Sequence, residues 1–234
     1  MEEPLRNKIY LNNSTEMQQS KFKVKAIFLD LDGTVVDSTA AYLEAAKVAF
    51  CAVGKPIPID EVLLDLPKRI EQGRPIEHIT HGTTDEFLPV YLDAYHSITE
   101  KETKLLPNVE ETLELLSKKA KLALITMRHV PNEKICRELE THGVAKYFTH
   151  IVTALDTDQP KPSPEGLLLC LDALNMAVCD CIIAGDSIND LRAGKAAGMK
   201  TIGLLSGLYN RVELEQENPD LVLTDISELP KYVE

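Results

Sequence analysis

The sequence predicts an α/β protein in which a parallel β-sheet lies between two layers of helices and a small all-helical cap follows the first strand. Short apolar runs alternate with segments of helical periodicity, which is the pattern of strand–helix–strand units. The predicted strands are 24–29, 122–126, 150–154, 181–185, 201–205 and a short edge strand at 221–223. The predicted helices between them are 109–119, 131–142, 164–174 and 188–197. This alternation is typical of a Rossmann-like three-layer core.

The connection between the first two strands is too long for a single crossover helix. Residues 37–106 fill it, and they contain three helical segments separated by proline and glycine breaks: 39–53, 59–72 and 85–103. We therefore divide the chain into a polar tail (residues 1–22), a Rossmann-like core (23–37 with 107–234) and an inserted helical cap (38–106).

Composition restricts the classes of partner. The chain of 234 residues has 37 acidic and 25 basic side chains, and its net charge of −12 lacks the basic footprint of proteins that bind nucleic acid or anionic membranes. No apolar run reaches the length of a membrane span, and the first residues lack the apolar core of a signal peptide. The five cysteines are scattered, which favours reduced thiols. We expect a cytoplasmic protein; the sequence predicts no particular oligomeric state.

The pentapeptide Asp30–Thr34 directly follows the first apolar strand and carries two carboxylates and a glycine. Side chains two residues apart project from the same face of an extended chain, so Asp30 and Asp32 need a cation or a proton between them. Gly33 allows the chain to turn at once. The same residue types begin calcium loops, but Val35 and Ala41 stand where such a loop needs glycine and glutamate.

Further polar residues follow the other strands, and ligands of open parallel sheets bind beyond the carboxyl ends of the strands. The second strand ends at Thr126, which Arg128 and His129 follow closely, while Lys161 lies in a loop stiffened by prolines. The fourth strand runs into the segment 185–190, which adds two more carboxylates at the start of a helix. An ammonium and a hydroxyl at this edge are suited to binding an anion.

In this order the motifs resemble those of the haloacid dehalogenase-like superfamily, over about residues 24–205. The four motifs of that family are matched by Asp30–Thr34, Thr126, Lys161 and Gly185–Asp190. Residues 30–38 and 161–165 are similar to phosphoglycolate phosphatases. The resemblance implies a Mg²⁺-dependent phosphatase that hydrolyses a small phosphorylated metabolite, with phosphoglycolate as the first candidate, through an aspartyl-phosphate.

The resemblance also implies a role for each matched residue. Asp30 is the expected nucleophile and Asp32 the expected acid and base. Mg²⁺ would be held by the carboxylates of Asp30 and Asp186 and by the main-chain carbonyl of Asp32, with Asp190 supporting a metal-bound water or Lys161. Thr126 and Lys161 would bind phosphate. The candidate substrate contacts are Arg74 on a cap loop, Arg128 and His129.

Other functions remain open on the sequence. A phosphomutase or a pyrophosphatase of the same fold would keep both aspartates, and a mutase must also shield the aspartyl-phosphate from water. A non-catalytic binding or regulatory protein is the alternative of a different class, although four intact motifs argue against it. His78 and His81 lack an evident third ligand, so we predict no zinc site.

Overall fold

A computed structural model describes residues 21–234, except for the side chains of residues 100–102. The strands are β1 (Ala26–Leu29), β2 (Val36–Asp37), β3 (Lys104–Leu105), β4 (Lys121–Ile125), β5 (Phe148–Val152), β6 (Cys181–Gly185), β7 (Lys200–Leu204) and β8 (Leu221–Leu223). Six of them form a parallel sheet in the order β5-β4-β1-β6-β7-β8. The predicted fold class is confirmed.

The central strands have the composition of a sheet that is covered on both faces. All four residues of β1 are buried, as are all five of β6. Alternate residues of β1 enter two separate apolar clusters, Ile27 and Leu29 on one face and Ala26 and Phe28 on the other. A continuous apolar run, rather than an alternating one, is what such a strand requires.

Helices cover both faces of the sheet. In chain order they are α1 (Thr39–Ala52), α2 (Asp60–Glu71), α3 (Thr84–Glu102), α4 (Val109–Ser117), α5 (Asn132–Thr141), α6 (Glu165–Leu174), α7 (Ile188–Ala197) and α8 (Arg211–Gln216). Helices α4 and α5 pack on the Ile27 face, and α6 and α7 pack on the Phe28 face. Within residues 21–234, no helix combines the length and the hydropathy that a membrane crossing needs.

The first three helices form the inserted cap and have an apolar cluster of their own. Phe50 of α1 and Phe87 of α3 meet there with ring centroids 4.8 Å apart. The insertion leaves the core through β2 and returns through β3, and these strands pair with each other antiparallel. Both connections between cap and core therefore pass through one short ribbon.

Phe22 lies at the edge of the core, beside the last residues of the chain. Phe22 forms a bridge with Val233, its amide donates to the carbonyl of Tyr232 at 2.7 Å, and its carbonyl accepts from the amide of Glu234 at 2.9 Å. The sequence had placed Phe22 in the polar tail, because the residues before it are polar. The first twenty residues of that predicted tail lie outside the described part of the chain.

Candidate active site

The order of the strands brings the four motifs to one edge of the sheet. Strand β1 lies between β4 and β6, so their carboxyl ends are adjacent and place Asp30, Thr126 and Asp186 side by side. Lys161 reaches the same edge from the loop between β5 and α6, and Asp190 reaches it from the first turn of α7. The sheet thus gathers residues that are up to 160 positions apart in sequence.

Lys161 links two buried carboxylates. Its Nζ donates to Asp30 Oδ1 at 2.5 Å, to Asp190 Oδ1 at 2.6 Å and to the main-chain carbonyl of Ile125 at 2.9 Å. Burial raises the pKa of Asp30 to about 8, although the charge of Lys161 acts in the opposite direction. Burial would lower the pKa of Lys161, but the charges of Asp190 and Asp30 outweigh it and raise that pKa. Lys161 therefore stays a cation between two acids.

Asp186 occupies a cradle that only glycine can form. A Cβ atom at Gly33 would lie 2.5 Å from Asp186 Oδ2, and one at Gly207 would lie 1.7 Å from it. Thr34 Oγ1 donates a hydrogen bond of 3.1 Å to Asp186 Oδ1. Burial, together with the charges of Asp30 and other acids, raises the pKa of Asp186 well above its ordinary value. A cation beside Asp186 would relieve this cost of ionisation.

The acidic cluster fits a hard metal ion. Asp30, Asp186 and Asp190 each offer a carboxylate oxygen, and these oxygens lie within 4.8 Å of one another. An all-oxygen donor set is the type that Mg²⁺ prefers. The carboxylate of Asp190 already accepts from Lys161 and, at 3.1 Å, from the amide of Ser187. Both carboxylate oxygens of Asp190 therefore already have a donor. Metal ligation by Asp30 and Asp186, with Asp190 in a supporting position, remains a prediction.

Asp32 lies in an ion pair with Arg128. Arg128 Nε donates to Asp32 Oδ2 at 2.8 Å and Nη2 donates to Oδ1 at 2.6 Å, while the Ser38 hydroxyl also donates to Oδ1. Arg128 Nη1 donates to Glu138 Oε2 at 2.5 Å. Burial would raise the pKa of Asp32, but the charge and hydrogen bonds of Arg128 hold it below its ordinary value. Asp32 is thus kept as a carboxylate.

Glu138 was not among the sequence-predicted site residues, although the sequence carries a signal for it. It is buried on α5, as are Ile135, which lies three residues before it, and Leu139, which directly follows it. An acid on the apolar face of a helix needs a buried partner. Arg128 is that partner.

The other predicted contact residues occupy different positions. Thr126 is buried, and its hydroxyl accepts from the amide of Arg128 at 3.1 Å, which fixes the turn after β4. His129 lines the cavity above the carboxylates, whereas Arg74 is exposed on the cap and does not line it. Phosphate binding by Thr126 and substrate contacts of Arg74 and His129 remain predictions.

A cavity of about 370 Å³ lies between the acidic cluster and the cap. Its core side contains Asp30, Asp32, Lys161 and Asp186. Its cap side is mainly aromatic and apolar, and the residues there include Tyr42, Ile70, Tyr91, Leu92 and Tyr95. The volume is in the range of small-molecule sites.

Hydrogen bonds between cap and core close this cavity. The carboxylate of Glu71 accepts from the Ser187 hydroxyl, and its main-chain carbonyl accepts from Asn189 Nδ2 at 3.0 Å. Gln72 Nε2 donates to Tyr209 Oη at 2.6 Å. Burial raises the pKa of Glu71 to about 7. The sequence carries no local signal for these residues, because their hydrogen bonds form only when the cap docks on the core.

Comparison with known proteins agrees with this architecture. A family model for haloacid dehalogenase-like hydrolases matches residues 27–204. The chain belongs to this family. Among haloacid dehalogenase-like relatives, phosphoglycolate phosphatase of Shigella sonnei is 30% identical over 236 residues, covering 90% of this chain and 93% of the relative. Phosphoglycolate phosphatase of Vibrio parahaemolyticus is 29% identical over 221 residues, covering 90% of this chain and 96% of the relative.

Solved structures of the haloacid dehalogenase-like family share the fold. A family hydrolase from Streptococcus pneumoniae has a TM-score of 0.76 at 22% identity, covering 90% of this chain and 98% of that one. A hydrolase from Pseudomonas syringae has a TM-score of 0.70 at 25% identity, covering 88% of this chain and 96% of that one. The predicted family is confirmed, and the chain is an enzyme of the hydrolase class.

Proposed function

We propose that the protein is a Mg²⁺-dependent phosphatase that hydrolyses a small-molecule phosphate monoester through a phosphorylated Asp30. The observation that carries this proposal is the placement of Asp30, which lies at the floor of the cavity, 2.5 Å from Lys161 and within the same acidic cluster as Asp186. The relatives named phosphoglycolate phosphatase support the reaction type and make phosphoglycolate the first candidate substrate.

The reaction would run in two displacements. A carboxylate oxygen of Asp30 attacks phosphorus, and the bond between phosphorus and the oxygen of the alcohol breaks. A water molecule then attacks the aspartyl-phosphate, and the bond between phosphorus and Asp30 breaks to give inorganic phosphate and free Asp30. Asp32 would give a proton to the leaving alcohol in the first step and take one from the water in the second.

The position of Asp32 favours one half of this proton cycle. Two hydrogen bonds from Arg128 and one from Ser38 stabilise the ionised carboxylate. An ionised Asp32 is ready to accept a proton from water, whereas donating one to the leaving group requires that Asp32 first take up a proton from solvent, which the ion pair with Arg128 disfavours. Water activation is therefore the step that the observed geometry supports best.

The metal ion and Lys161 would neutralise the negative charge of the transferring phosphoryl group and of the acids around it. Asp30 and Asp186, with the main-chain carbonyl of Asp32, would hold Mg²⁺, which when bound supplies positive charge to the transferring phosphoryl group. Ionised Asp30, Asp186 and Asp190 would repel a phosphate if the ammonium of Lys161 alone opposed them, so a second cation is needed for the acids to be ionised while phosphate binds. Lys161 and the amides after Thr126 would orient the phosphoryl oxygens.

Phosphate release from a panel of monoesters tests this proposal. The panel contains phosphoglycolate, sugar phosphates and nucleoside monophosphates, with pyrophosphate alongside, and is run with Mg²⁺ and with EDTA. We expect release that needs Mg²⁺ and that falls at least about 1,000-fold in Asp30→Asn. The matched control is Asp172→Asn, at an exposed aspartate on α6, which should keep full activity.

Two results would contradict the proposal. Release that is unchanged in Asp30→Asn would remove the nucleophile from the mechanism. Conversion of a sugar phosphate into its isomer, without free phosphate, would identify the protein as a mutase.

A further inference from the structure

The cap side of the cavity forms an aromatic compartment, which we call the tyrosine chamber and define by Tyr42, Tyr91 and Tyr95. The rings of Tyr42 and Tyr95 stack with centroids 5.0 Å apart and planes 3° apart. Tyr91 lies one helical turn before Tyr95 on α3, and its ring stacks on Phe87 at 5.8 Å and 13°. Because these rings hold one another in place, they form a flat apolar surface that loses little conformational entropy when a ligand binds to it.

The charges around the tyrosine chamber disfavour a second anionic group on the substrate. Among the described residues that line the cavity, the cap contributes one carboxylate, Glu71, and no lysine or arginine. The two cations on the core side are already engaged, Lys161 by Asp30 and Asp190, and Arg128 by two other acids. A glycolate carboxylate in the chamber would lie among rings without an unpaired lysine or arginine among the described lining residues.

Two polar atoms near the tyrosine chamber lack a partner. Within residues 21–234, Tyr91 Oη and His96 Nδ1 are buried and make no hydrogen bond, although both residues line the cavity. Only 2% of the surface of Tyr91 is exposed. Buried hydroxyl groups are almost always satisfied in folded proteins, so a ligand atom is the natural partner for this one.

We propose that the tyrosine chamber binds the leaving group of the substrate, and that this group is a flat aromatic or heteroaromatic ring with a hydrogen-bonding heteroatom. The ring would lie against Tyr42 and Tyr95, with the heteroatom near Tyr91 Oη and His96. The phosphate attached to it through a short link would reach Asp30. This inference rests on the proposed phosphatase function and narrows its substrate class away from phosphoglycolate.

Esters of alcohols with similar acidity test the ring with only small differences in chemical reactivity. We would compare kcat/KM for benzyl phosphate, the three pyridylmethyl phosphates, propyl phosphate and phosphoglycolate. Benzyl phosphate should exceed propyl phosphate and phosphoglycolate by about ten-fold or more, since the chamber contacts a ring and not a short chain or a carboxylate. One of the pyridylmethyl isomers should exceed benzyl phosphate several-fold.

Substitutions in the tyrosine chamber test whether it causes the preference for esters with a ring. Tyr42→Leu should reduce the ratio of benzyl to propyl turnover, and Tyr91→Phe should reduce the ratio of pyridylmethyl to benzyl turnover to about one. Tyr147→Phe is the matched control, because this tyrosine lies outside the cavity lining, and both ratios should be unchanged. Circular dichroism verifies that each variant folds.

The outcomes separate the two proposals. Turnover of propyl phosphate or phosphoglycolate that equals or exceeds that of benzyl phosphate overturns the ring assignment and leaves the phosphatase intact. If no ester is hydrolysed, the proposed function fails; calorimetry with benzyl and propyl phosphate then decides whether the chamber prefers a ring. Equal affinity for both would overturn the inference on its own.

Discussion

The core side of the cavity carries buried charges that are paired with each other, whereas the cap side carries aromatic rings and one carboxylate. On the core side, Lys161 and Arg128 each bond two acids. On the cap side, Tyr42, Tyr91 and Tyr95 belong to the apolar cluster that also holds the cap together. The residues proposed for catalysis therefore lie at the ends of core strands, whereas the residues proposed to select the substrate belong to the packed interior of the inserted cap.

The largest expected effect comes from removing the ammonium group of Lys161 on the core side. Lys161→Met leaves Asp30 and Asp190 buried without their shared partner, so the free energy of unfolding should fall by about 3–5 kcal/mol. Phosphate release should fall at least about 100-fold, because the phosphoryl group loses a fixed positive charge. Urea unfolding at pH 7 and the phosphate-release assay measure the two effects.

Lys118→Met is the matched control for this substitution. Lys118 pairs with Glu114 on the surface, where the side chains are 63% and 52% exposed, so its loss should leave the free energy of unfolding close to that of the wild type. Similar stability losses in the two variants would contradict the central role of the buried ammonium.

The second prediction concerns the ion pair between Arg128 and Asp32. In Arg128→Met two buried acids, Asp32 and Glu138, lose their partner, so the free energy of unfolding should fall by about 2–4 kcal/mol at pH 7. In the wild type, the lowered pKa of Asp32 keeps its stabilising contribution complete above the ordinary value of 3.8. In the variant, burial acts on Asp32 without the charge of Arg128 to oppose it, so protonation of this carboxylate relieves part of the cost as pH falls from 7. The deficit of the variant should therefore shrink between pH 7 and pH 4.

Arg128→Lys separates charge from geometry at this position. A lysine keeps the positive charge but cannot make two parallel hydrogen bonds to Asp32, so it should recover only part of the lost stability. A deficit in Arg128→Met that stays constant from pH 7 to pH 4 would show that the lost contact is packing and not ionic.

The core elements could be predicted closely because their signals are local. Strand β6 and helix α7 have the predicted bounds, since β6 is a continuous apolar run, Ser187 caps the helix with its side chain and Gly198 ends it at a φ of 79°. Strand β5 begins two residues earlier than predicted. It lies at the edge of the sheet, where Phe148 and His150 are only partly buried and Thr149 is exposed, so its first residues do not form an apolar run in the sequence.

The site was predictable only in part, for a physical reason. The carboxyl ends of neighbouring strands must meet, so the approach of Asp30, Lys161 and Asp186 follows from the order of elements. The partners of Arg128 and Glu71 depend on how α5 and the cap pack, and no local pattern encodes that docking. Long-range contacts between side chains are the part that the sequence does not reveal.

The third prediction tests the single carboxylate of the cap side. Burial raises the pKa of Glu71 from 4.5 to about 7, so its ionisation costs stability increasingly as pH rises from 4.5 and fully above pH 7. Glu71→Gln removes this cost, and at pH 8 the variant should be more stable than the wild type by up to about 3 kcal/mol, with a smaller difference at pH 5. Urea unfolding at the two pH values measures the change.

Glu77→Gln provides the comparison for Glu71, because Glu77 is an exposed cap residue. Its stability should differ from the wild type by less than about 0.5 kcal/mol at both pH values. A Glu71→Gln protein less stable than the wild type at pH 8 would mean that the hydrogen bonds from Ser187 and Tyr209 hold Glu71 as a stabilising anion.

The smallest expected effect concerns the hydroxyl of Tyr209, which joins the two sides of the cavity. It accepts from Gln72 at 2.6 Å and donates to Glu71 at 3.3 Å, and Lys68 lies 4.8 Å from the ring centroid. Tyr209→Phe keeps the ring and deletes these hydrogen bonds, so the free energy of unfolding should fall by about 0.5–1.5 kcal/mol. Hydrogen exchange should become faster in α2 and remain unchanged in β1, because the lost bonds hold the cap and not the sheet. Tyr232→Phe, in the core, should leave exchange in α2 unchanged. Equal acceleration in α2 and β1 would show that the cap does not open separately from the core and that these hydrogen bonds stabilise the molecule as one unit.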